Sequence, residues 1–225
     1  RQRISVAWRF GASGGAGALP ETPPLPRTSS QRRWAGTVTA SVQRDALAQN
    51  GLVLDRIATP DDNPWTRRVR AADLAFLTDD RAAVVTYDGD VWLVDGFADP
   101  QLARLTWQRF ASGLHEPLAI AAPQGVIQVA TKNGLVRLHA RDGSGEATWF
   151  ENFSDQLLQS QTTRSFPLDM AMGPDGSTYV TQGGIVDRSG MQAGGEGTAH
   201  TGAIVRISPD GQSVQLRWTA TADPA

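Results

Sequence analysis

The stretch Leu105–Thr131, LTWQRFASGLHEPLAIAAPQGVIQVAT, decides the fold of this chain. Its apolar residues lie two apart and are interrupted by Ser-Gly, Glu-Pro and Pro-Gln-Gly, a pattern typical of short strands separated by loops and tight turns. It predicts a strand at Leu105–Phe110, a crossing loop at Ala111–Pro117, and a hairpin of two strands, Leu118–Ala122 and Val126–Thr131. Such a unit joins the end of one antiparallel sheet to the start of the next.

The same strand–turn–strand unit recurs along the chain. We align Leu74, Leu118 and Leu168, which lie 44 and then 50 residues apart. Each pair of strands is followed by a third strand-like segment (90–94, 135–139, 202–207) and a fourth (105–110, 148–153, 213–219). Four antiparallel strands with a period in the forties predict an all-β chain of β-propeller blades. A β-sandwich would not explain the repeat of a whole four-strand unit, and helical periodicity is scarce after Ala72.

These patterns divide the chain into three parts. Residues 1–33 are predicted to form a strand and a Gly/Pro-rich arm, residues 34–71 additional strands or part of a blade, and residues 72–225 three blades, at about 72–110, 117–153 and 167–220. Three blades do not close a ring, because propellers close with roughly four to eight. We therefore expect a part of a larger, six-bladed type of propeller, completed by further sequence or by a protein partner.

Composition excludes several classes of function. The formal net charge of −2 offers no electrostatic footprint for nucleic acid or an anionic membrane. The chain has no cysteine, which excludes disulfides, thiolate catalysis, Cys-ligated zinc and covalent haem attachment within it. No run approaches the ~18 apolar residues of a membrane-spanning helix, so we predict no transmembrane segment in this chain.

Polar residues are concentrated on the loops predicted for one face of the propeller, where ligand sites are usually found. His115 and Glu116 lie in the crossing loop, and Pro117 is expected to hold Glu116 extended, where it can accept from an Arg of a neighbouring blade. Arg164 can bind a carboxylate or a phosphate, and His200 ends a Gly-rich loop. Asp169 lies on a strand that is predicted to line the channel. A carboxylate is unusual there unless it meets water, a cation or an Arg. Each candidate also has a purely structural interpretation, and the sequence leaves both open.

The loop Arg141–Glu146 resembles a calcium loop only in part. Calcium takes several oxygen ligands, and Asp142 and Glu146 are the only acidic residues that remain of such a pattern. A plain hairpin turn is therefore favoured over a calcium site. With no cysteine and three scattered histidines, a zinc site has little support.

Four runs carry a resemblance to a known group: DDNPW (61–65), TYDGDVW (86–92), RFASGLHEPL (109–118) and GAIVRISPDG (202–211). They resemble secreted bacterial β-propeller proteins related to the pyrroloquinoline-quinone (PQQ)-dependent sugar dehydrogenases of the glucose and sorbosone type. Many proteins of this group carry a c-type cytochrome domain. The resemblance covers roughly residues 52–218, and the loop through His115 is its most specific part.

The resemblance implies a periplasmic or extracellular propeller, with quinone-linked oxidation of a sugar or an alcohol and transfer of electrons to a cytochrome. By position it makes His115 the candidate base, with Glu116 beside it, and makes Arg164, Asp169 and His200 candidate cofactor contacts. PQQ is the implied cofactor, with calcium as a weaker expectation. The chain departs from the group in lacking the His-Pro-Asp-Phe motif of the soluble glucose dehydrogenases and any haem-attachment motif.

Two functions from different classes follow. The first is a non-catalytic propeller that acts as an interaction or scaffold module of a periplasmic or envelope-associated complex. It is motivated by the incomplete ring and by the Gly/Pro-rich arm at 11–30, which is suited to wrap a neighbouring protein. The second is a PQQ-dependent sugar or alcohol oxidoreductase. We favour the first for this chain.

Overall fold

The computed structural model describes residues 32–44, 54–157, 165–184 and 202–219. Within these ranges the regular structure is β, apart from one 3-10 turn at Pro123–Gly125, and no helix there is long and apolar enough to cross a membrane. The strands are β1 Val38–Arg44, β2 Asp55–Ile57, β3 Ala71–Phe76, β4 Arg81–Thr86, β5 Val91–Asp95, β6 Arg104–Ala111, β7 Ala119–Ala121, β8 Ile127–Thr131, β9 Gly134–His139, β10 Trp149–Ser154, β11 Ser165–Met172, β12 Thr178–Gly184, β13 Ala203–Ile207 and β14 Val214–Thr219.

The strands form three antiparallel sheets that follow one another along the chain. Blade 2 is β7–β10 and blade 3 is β11–β14, each a meander in which consecutive strands pair. Blade 1 is β3–β6 in the same order, and its sheet is extended beyond β6 by β1 and then β2. The predicted all-β class and the four-stranded propeller blades are confirmed. The strands of the 34–71 region lengthen blade 1 and do not form a sheet of their own.

The strand pairing corrects the alignment of the blades. The equivalent residues of the innermost strands are Leu74, Ile120 and Met170, which pair with Val84, Val129 and Val180 of the second strands. The alignment of Leu74 with Leu118 and Leu168 is therefore wrong, since both of the latter lie two residues too early. A shift of two residues keeps the alternation of inward and outward side chains, so a pattern of alternation cannot detect it.

Blade 2 is packed on both faces. Against blade 1 it buries Ile120, Ile127, Val129 and Leu138, which meet Val85, Val91, Leu93 and Phe110. On its other face Ala119, Ala130, Leu135 and Phe153 meet Met170, Val180, Val205 and Ile207 of blade 3. Full burial of each larger aliphatic side chain contributes roughly 1.5–3 kcal/mol, so these two interfaces hold the three blades as one stack.

The loop before β3 covers part of the rear face of blade 1, which is turned away from blade 2; Leu74 and Phe76 of β3 stay about half exposed there. Trp65 of this loop packs on the fully buried Trp92, with ring centroids 5.8 Å apart, and Val69 is buried in the same cluster. Asn63 shapes the loop, because its side chain donates to the carbonyl of Pro60 (2.9 Å) and accepts from the backbone N–H of Arg67 (3.0 Å). The run DDNPW is thus a structural loop.

No element of the described part of the chain packs on the face of blade 3 that is turned away from blade 2. In β13 the residues that alternate with buried Ala203, Val205 and Ile207 point to this side, and Trp218 pairs with one of them, Ile204. We call this surface the open face and define it by Asp169, Thr181, Ile204, Arg206 and Trp218. Trp218 is 58% exposed there.

Candidate functional site

The loop between β6 and β7 is clamped between two turns on one side of the molecule. The N–H of Leu114 donates to the carbonyl of Gly89 in the β4–β5 turn (3.1 Å), and the N–H of Lys132 in the β8–β9 turn donates to the carbonyl of His115 (3.0 Å). We call this side the mouth face. His115 and Glu116 lie on it together, because both belong to the clamped loop.

Glu116 is held by an ion pair and not by an extended backbone. Its φ is +43°, in the left-handed region that few residues adopt, so the expectation that Pro117 keeps it extended is wrong. The carboxylate lies 3.0 Å from Nζ of Lys132, where an Arg of a neighbouring blade was expected. The hydrogen bond from Lys132 is the largest reason why the pKa of Glu116 lies below its ordinary value; burial opposes it, and the charges of Lys132 and His115 and the Tyr87 hydroxyl add to it.

The Glu116–Lys132 pair connects all three blades at the mouth face. Glu116 belongs to the loop that leaves blade 1, Lys132 to a turn of blade 2, and Nζ of Lys132 lies 4.5 Å from the ring centroid of Phe166 on the first strand of blade 3. A carboxylate with a lowered pKa is ionised at neutral pH and is a poor general acid. These contacts give the pair a role in holding the mouth together.

His115 lines a small cavity of about 260 Å³ on the mouth face. The other lining residues include the apolar side chains of Leu114, Val136 and Phe150 and the polar side chains of Thr131, Asn133 and Asn152. Typical small-molecule sites enclose roughly 300–1,000 Å³, so this cavity fits only a small group. The described lining residues include no Asp, Glu, Lys or Arg.

The imidazole of His115 is positioned by Asn133. Its Nδ1 lies 3.1 Å from Oδ1 of Asn133, and because an amide oxygen only accepts, Nδ1 carries the hydrogen in this arrangement. Nε2 is then the ring nitrogen that can accept a proton. In the described part of the chain no acidic side chain is bonded to His115, so the triad-like support that a strong base requires is not assembled there.

A second mouth-face cluster is buried around Asp90. Its carboxylate, fully buried, accepts from Nε of Arg67 (2.7 Å) and from Nη2 of Arg109 (2.9 Å). Arg109 also donates to the hydroxyl of Ser112 (2.7 Å) and lies over the ring of Trp34, 4.4 Å from its centroid. Breaking such a buried pair costs about 3–5 kcal/mol, so this cluster fixes the start of the loop that carries His115.

Three further residues were candidates from the sequence, namely Asp169, Arg164 and His200. Asp169 lies on β11, as the sequence predicted, but it is exposed and accepts from the N–H of Met170 (2.7 Å). Arg164 and His200 lie outside the described residues. Their proposed cofactor contacts therefore stay predictions.

The acidic loop before β10 is engaged by the N-terminal segment. Both oxygens of the buried Glu146 accept backbone N–H groups, from Arg33 and from Trp34, each at 2.8 Å. Asp142 accepts from the N–H of Ser144 (2.9 Å), and hydrogen bonds from Ser144 lower its pKa. Among the described residues no three His, Cys, Asp or Glu side chains are grouped to hold a metal ion. The donor set of this loop thus serves the chain itself and does not fit calcium.

Sequence reasoning missed the contribution of the β8–β9 turn. Lys132 contacts Glu116, and Asn133 contacts His115. The sequence patterns predict neither Lys132 nor Asn133 as a site residue. A local signal for the turn exists, since Asn133-Gly134 is a typical hairpin dipeptide and a hairpin here belongs on the mouth face. The pairing itself has no sequence signal, because it depends on how two blades are stacked.

Comparisons with known proteins found similarity to solved structures only. No protein-family model matches the chain, and no curated protein matches it. It is similar to the structure of a candidate oxidoreductase (glucose dehydrogenase) of Thermus thermophilus, with 18% identity, a TM-score of 0.42, and 64% of this chain and 45% of that chain covered. The chain thus spans less than half the length of that protein.

Two further structures are similar at the same level. The extracellular domain of a candidate one-component system of B. thetaiotaomicron has 13% identity and a TM-score of 0.42, with 73% of this chain and 19% of that chain covered. YCF48 bound to a D1 peptide has 12% identity and a TM-score of 0.38, with 72% and 55% covered. At these values the likeness carries no information on activity, substrate or partner.

Proposed function

We propose that this chain is a non-catalytic β-propeller module that serves as an interaction or scaffold subunit and joins a partner protein through the open face of blade 3. The observation that carries the proposal is the contrast between this face and its buried counterparts in blades 1 and 2. As part of the same proposal, the complex is periplasmic or associated with the cell envelope, which the sequence resemblance to secreted propellers supports.

The contrast is clearest at the third and fourth strands. Val91 and Ala111 pair in blade 1 and are fully buried against blade 2. The pair at the same place in blade 3 is Ile204 and Trp218, and here the tryptophan is 58% exposed. A large exposed aromatic side chain on a sheet face is typical of a protein interface, because its burial contributes more than that of most other residues.

The mouth face supports binding better than catalysis. Glu116 is neutralised by Lys132, and the described residues place no second proton-transfer group against His115. Many acid–base mechanisms use two such groups with separated pKa values near the reacting atoms. The geometry therefore favours the interaction module over an enzyme.

The test is the size of the particle that the full-length protein forms in its native cells. We expect the tagged wild-type chain, purified from its natural host at native expression, to elute as a hetero-oligomer in size-exclusion chromatography with light scattering. Trp218→Gln is expected to elute as a monomer. Trp149→Gln is the matched control, since Trp149 is 47% exposed but lies on β10 of blade 2, away from the open face.

Two results would overturn the proposal. One is a stable, monodisperse wild-type monomer with no associated protein. The other is a complex that survives Trp218→Gln unchanged, because the open face would then not be the assembly surface. Loss of the complex in the Trp149→Gln control as well would also contradict an interface confined to blade 3.

The second candidate is a PQQ-dependent sugar or alcohol oxidoreductase. It is favoured by one observation, the imidazole of His115 at the wall of a cavity with Nε2 available as an acceptor. The described residues around this cavity do not fit the quinone, whose carboxylates need cationic partners, because Lys132 is already paired with Glu116. The cavity is also smaller than most cofactor sites.

A fluorescence titration of the full-length protein with PQQ, in the presence of calcium, decides this alternative. The interaction module is expected to quench no quinone fluorescence at micromolar protein. Saturable binding that is lost in His115→Asn and is followed by dye-linked oxidation of a sugar or an alcohol would establish the oxidoreductase instead. Glu151→Gln is the control, because the Glu151 side chain is partly exposed on blade 2 and pairs with His139.

A further inference from the structure

Asp73 connects the innermost strands of blades 1 and 2. An innermost strand pairs on one edge only, so half of its backbone N–H groups need another acceptor. The N–H of Ile120 in blade 2 donates to Oδ2 of Asp73 (2.9 Å), and Oδ1 of the same carboxylate accepts from the N–H of Leu74 (2.7 Å). One carboxylate thus satisfies its own strand and the strand of the next blade.

Asp169 is the counterpart of Asp73 in blade 3. In both strands a β-bulge immediately precedes the aspartate in the pairing with the second strand. Oδ1 of Asp169 accepts from the N–H of the next residue, Met170, at 2.7 Å, as Asp73 does from Leu74. Four residues after Asp73, the N–H of Leu77 donates to the carbonyl of Arg81 and closes the turn (2.8 Å). Four residues after Asp169, the N–H of Gly173 donates to the carbonyl of Ser177 in the same way (2.8 Å).

The two aspartates differ in what lies against them. Asp73 is partly buried, because blade 2 covers it, whereas Asp169 is exposed on the open face. Within the described residues Oδ2 of Asp169 accepts no hydrogen bond. In blade 1 the equivalent atom, Oδ2 of Asp73, accepts the N–H of Ile120 from the next blade. In blade 3, Oδ2 of Asp169 is presented to solvent.

We propose that Asp169 is a strand-capture residue: its Oδ2 accepts a backbone N–H from the innermost strand of a four-stranded blade on the partner protein that docks on the open face. The inference rests on the proposed function and specifies the partner. The contact would continue, at the end of the described stack, the Asp73–Ile120 interface that the chain already contains. A further blade of this kind would also bury Trp218.

The geometry specifies the chemistry of the captured strand. In blade 2 the residue before Ile120 is Ala119, which has no side-chain acceptor, so the Ile120 N–H is available to Asp73. Where an aspartate precedes, as at Asp169, the corresponding N–H is taken by its own carboxylate. We expect the partner strand to carry a small uncharged residue followed by a larger apolar one.

A second copy of this chain does not meet that requirement. Its blade 1 would have to offer the N–H of Leu74, which Asp73 already binds, and would bring two carboxylates together. Trp65 and Val69 also occupy part of the rear of blade 1. A second copy of this chain is therefore not the expected partner.

The probe is a peptide with the sequence of residues 116–131, acetylated and amidated, which carries the strands β7 and β8 that the chain itself docks on blade 1. It is titrated into the full-length chain and followed by NMR signals of the Trp218 indole and the open-face amides. We expect Asp169→Ala to weaken binding by about tenfold, the effect of losing a hydrogen bond to a charged group. Asp79→Ala, an equal change of charge in the exposed β3–β4 turn, is expected to leave binding unchanged.

A second peptide with N-methylated isoleucine at the position of Ile120 completes the cycle. It lacks the N–H that Asp169 is proposed to bind, so it should bind the wild type about tenfold more weakly than the unmodified peptide does. The two peptides should bind Asp169→Ala equally well, because the acceptor is absent from that variant. Additive effects of the two changes would contradict a contact between them. Unperturbed open-face signals with both peptides would also overturn the inference.

Failure of this inference can be told apart from failure of the proposed function. If Trp218→Gln abolishes peptide binding while Asp169→Ala does not, the open face is a docking surface and Asp169 is not its strand-capture residue. If neither change matters, both proposals fall. If the chain forms a dimer that Asp169→Ala dissociates, the occupant is a second copy and the assignment of a different partner is wrong.

Discussion

Gly89 and Gly113 show how a single residue position limits the mouth face. Both are held at positive φ, +91° and +90°, where an L side chain is strained. They differ in the space around them: a Cβ on Gly89 would overlap the carbonyl of Leu114, whereas a Cβ on Gly113 would meet nothing within 4 Å. Gly89 is therefore required by the close approach of the clamped loop, and Gly113 only by its backbone conformation.

We expect Gly113→Ala to lower the free energy of unfolding by about 1 kcal/mol through backbone strain alone. Gly89→Ala adds the steric overlap and should cost about 3 kcal/mol. Urea unfolding of both variants measures the difference. Equal losses would mean that Leu114 can move away freely and that the loop is not clamped.

The Glu116–Lys132 pair makes a prediction about protonation. In Lys132→Met the pKa of Glu116 should rise towards its ordinary value of 4.5, because the largest contribution to the shift is removed. Since the folded-state pKa lies below the unfolded one, the pair stabilises the fold above about pH 4.5 and this stabilisation is lost as the pH falls through the folded pKa. NMR titration of the side-chain carboxyl, assigned with Glu116→Gln, measures both pKa values. An unchanged pKa in Lys132→Met would contradict the assignment.

At the level of elements, the molecule is held by loops and segments that close over neighbouring sheets. The segment before β1 is bound where blades 1 and 2 meet, since Glu146 accepts the N–H groups of Arg33 and Trp34. Trp34 in turn lies over Arg109, which belongs to the buried Asp90 cluster. The segment thus joins the acidic loop of blade 2 to the mouth face of blade 1.

Glu146→Gln tests this connection. The amide keeps one oxygen but directs an NH₂ group at a backbone N–H, so we expect a loss of about 2 kcal/mol and faster hydrogen exchange at the Trp34 amide. Glu151→Gln, at a half-exposed pair with His139, should change stability by less than about 1 kcal/mol. Equal effects of the two substitutions would show that Glu146 does not bind the segment in solution.

For the whole molecule, the coverage of the blades is unequal. Blade 2 is buried on both faces, and blade 1 is covered by blade 2 and, except at its innermost strand, by the loop through Trp65. The described residues cover blade 3 on one face, and Leu168 and Trp218 are more than half exposed. Apolar burial is the main stabilising contribution, so stability should decrease along the stack.

Hydrogen exchange of the isolated chain should reveal this gradient. We expect the amides of β12 and β13 to exchange at least about tenfold faster than those of β4 and β8, because blade 3 can open without disturbing the interface of blades 1 and 2. Docking of the partner should slow the exchange of blade 3 selectively. Uniform protection in the isolated chain would mean that the open face needs no cover.

The sequence alone determined the local structure of this protein, and the tertiary structure decided its contacts. Alternation and turn residues such as Pro123–Gly125 act over a few neighbours, which is why the strands and the crossing loop through His115 were predictable. The sequence did not predict the two-residue register of the blades, because both registers have the same alternation. It also did not predict the contact of Lys132 with Glu116 or of Arg33 and Trp34 with Glu146, because these residues are distant in sequence or belong to different blades. The same holds for Asp169, whose equivalence to Asp73 became visible only when the bulges and hydrogen bonds of the two strands were compared.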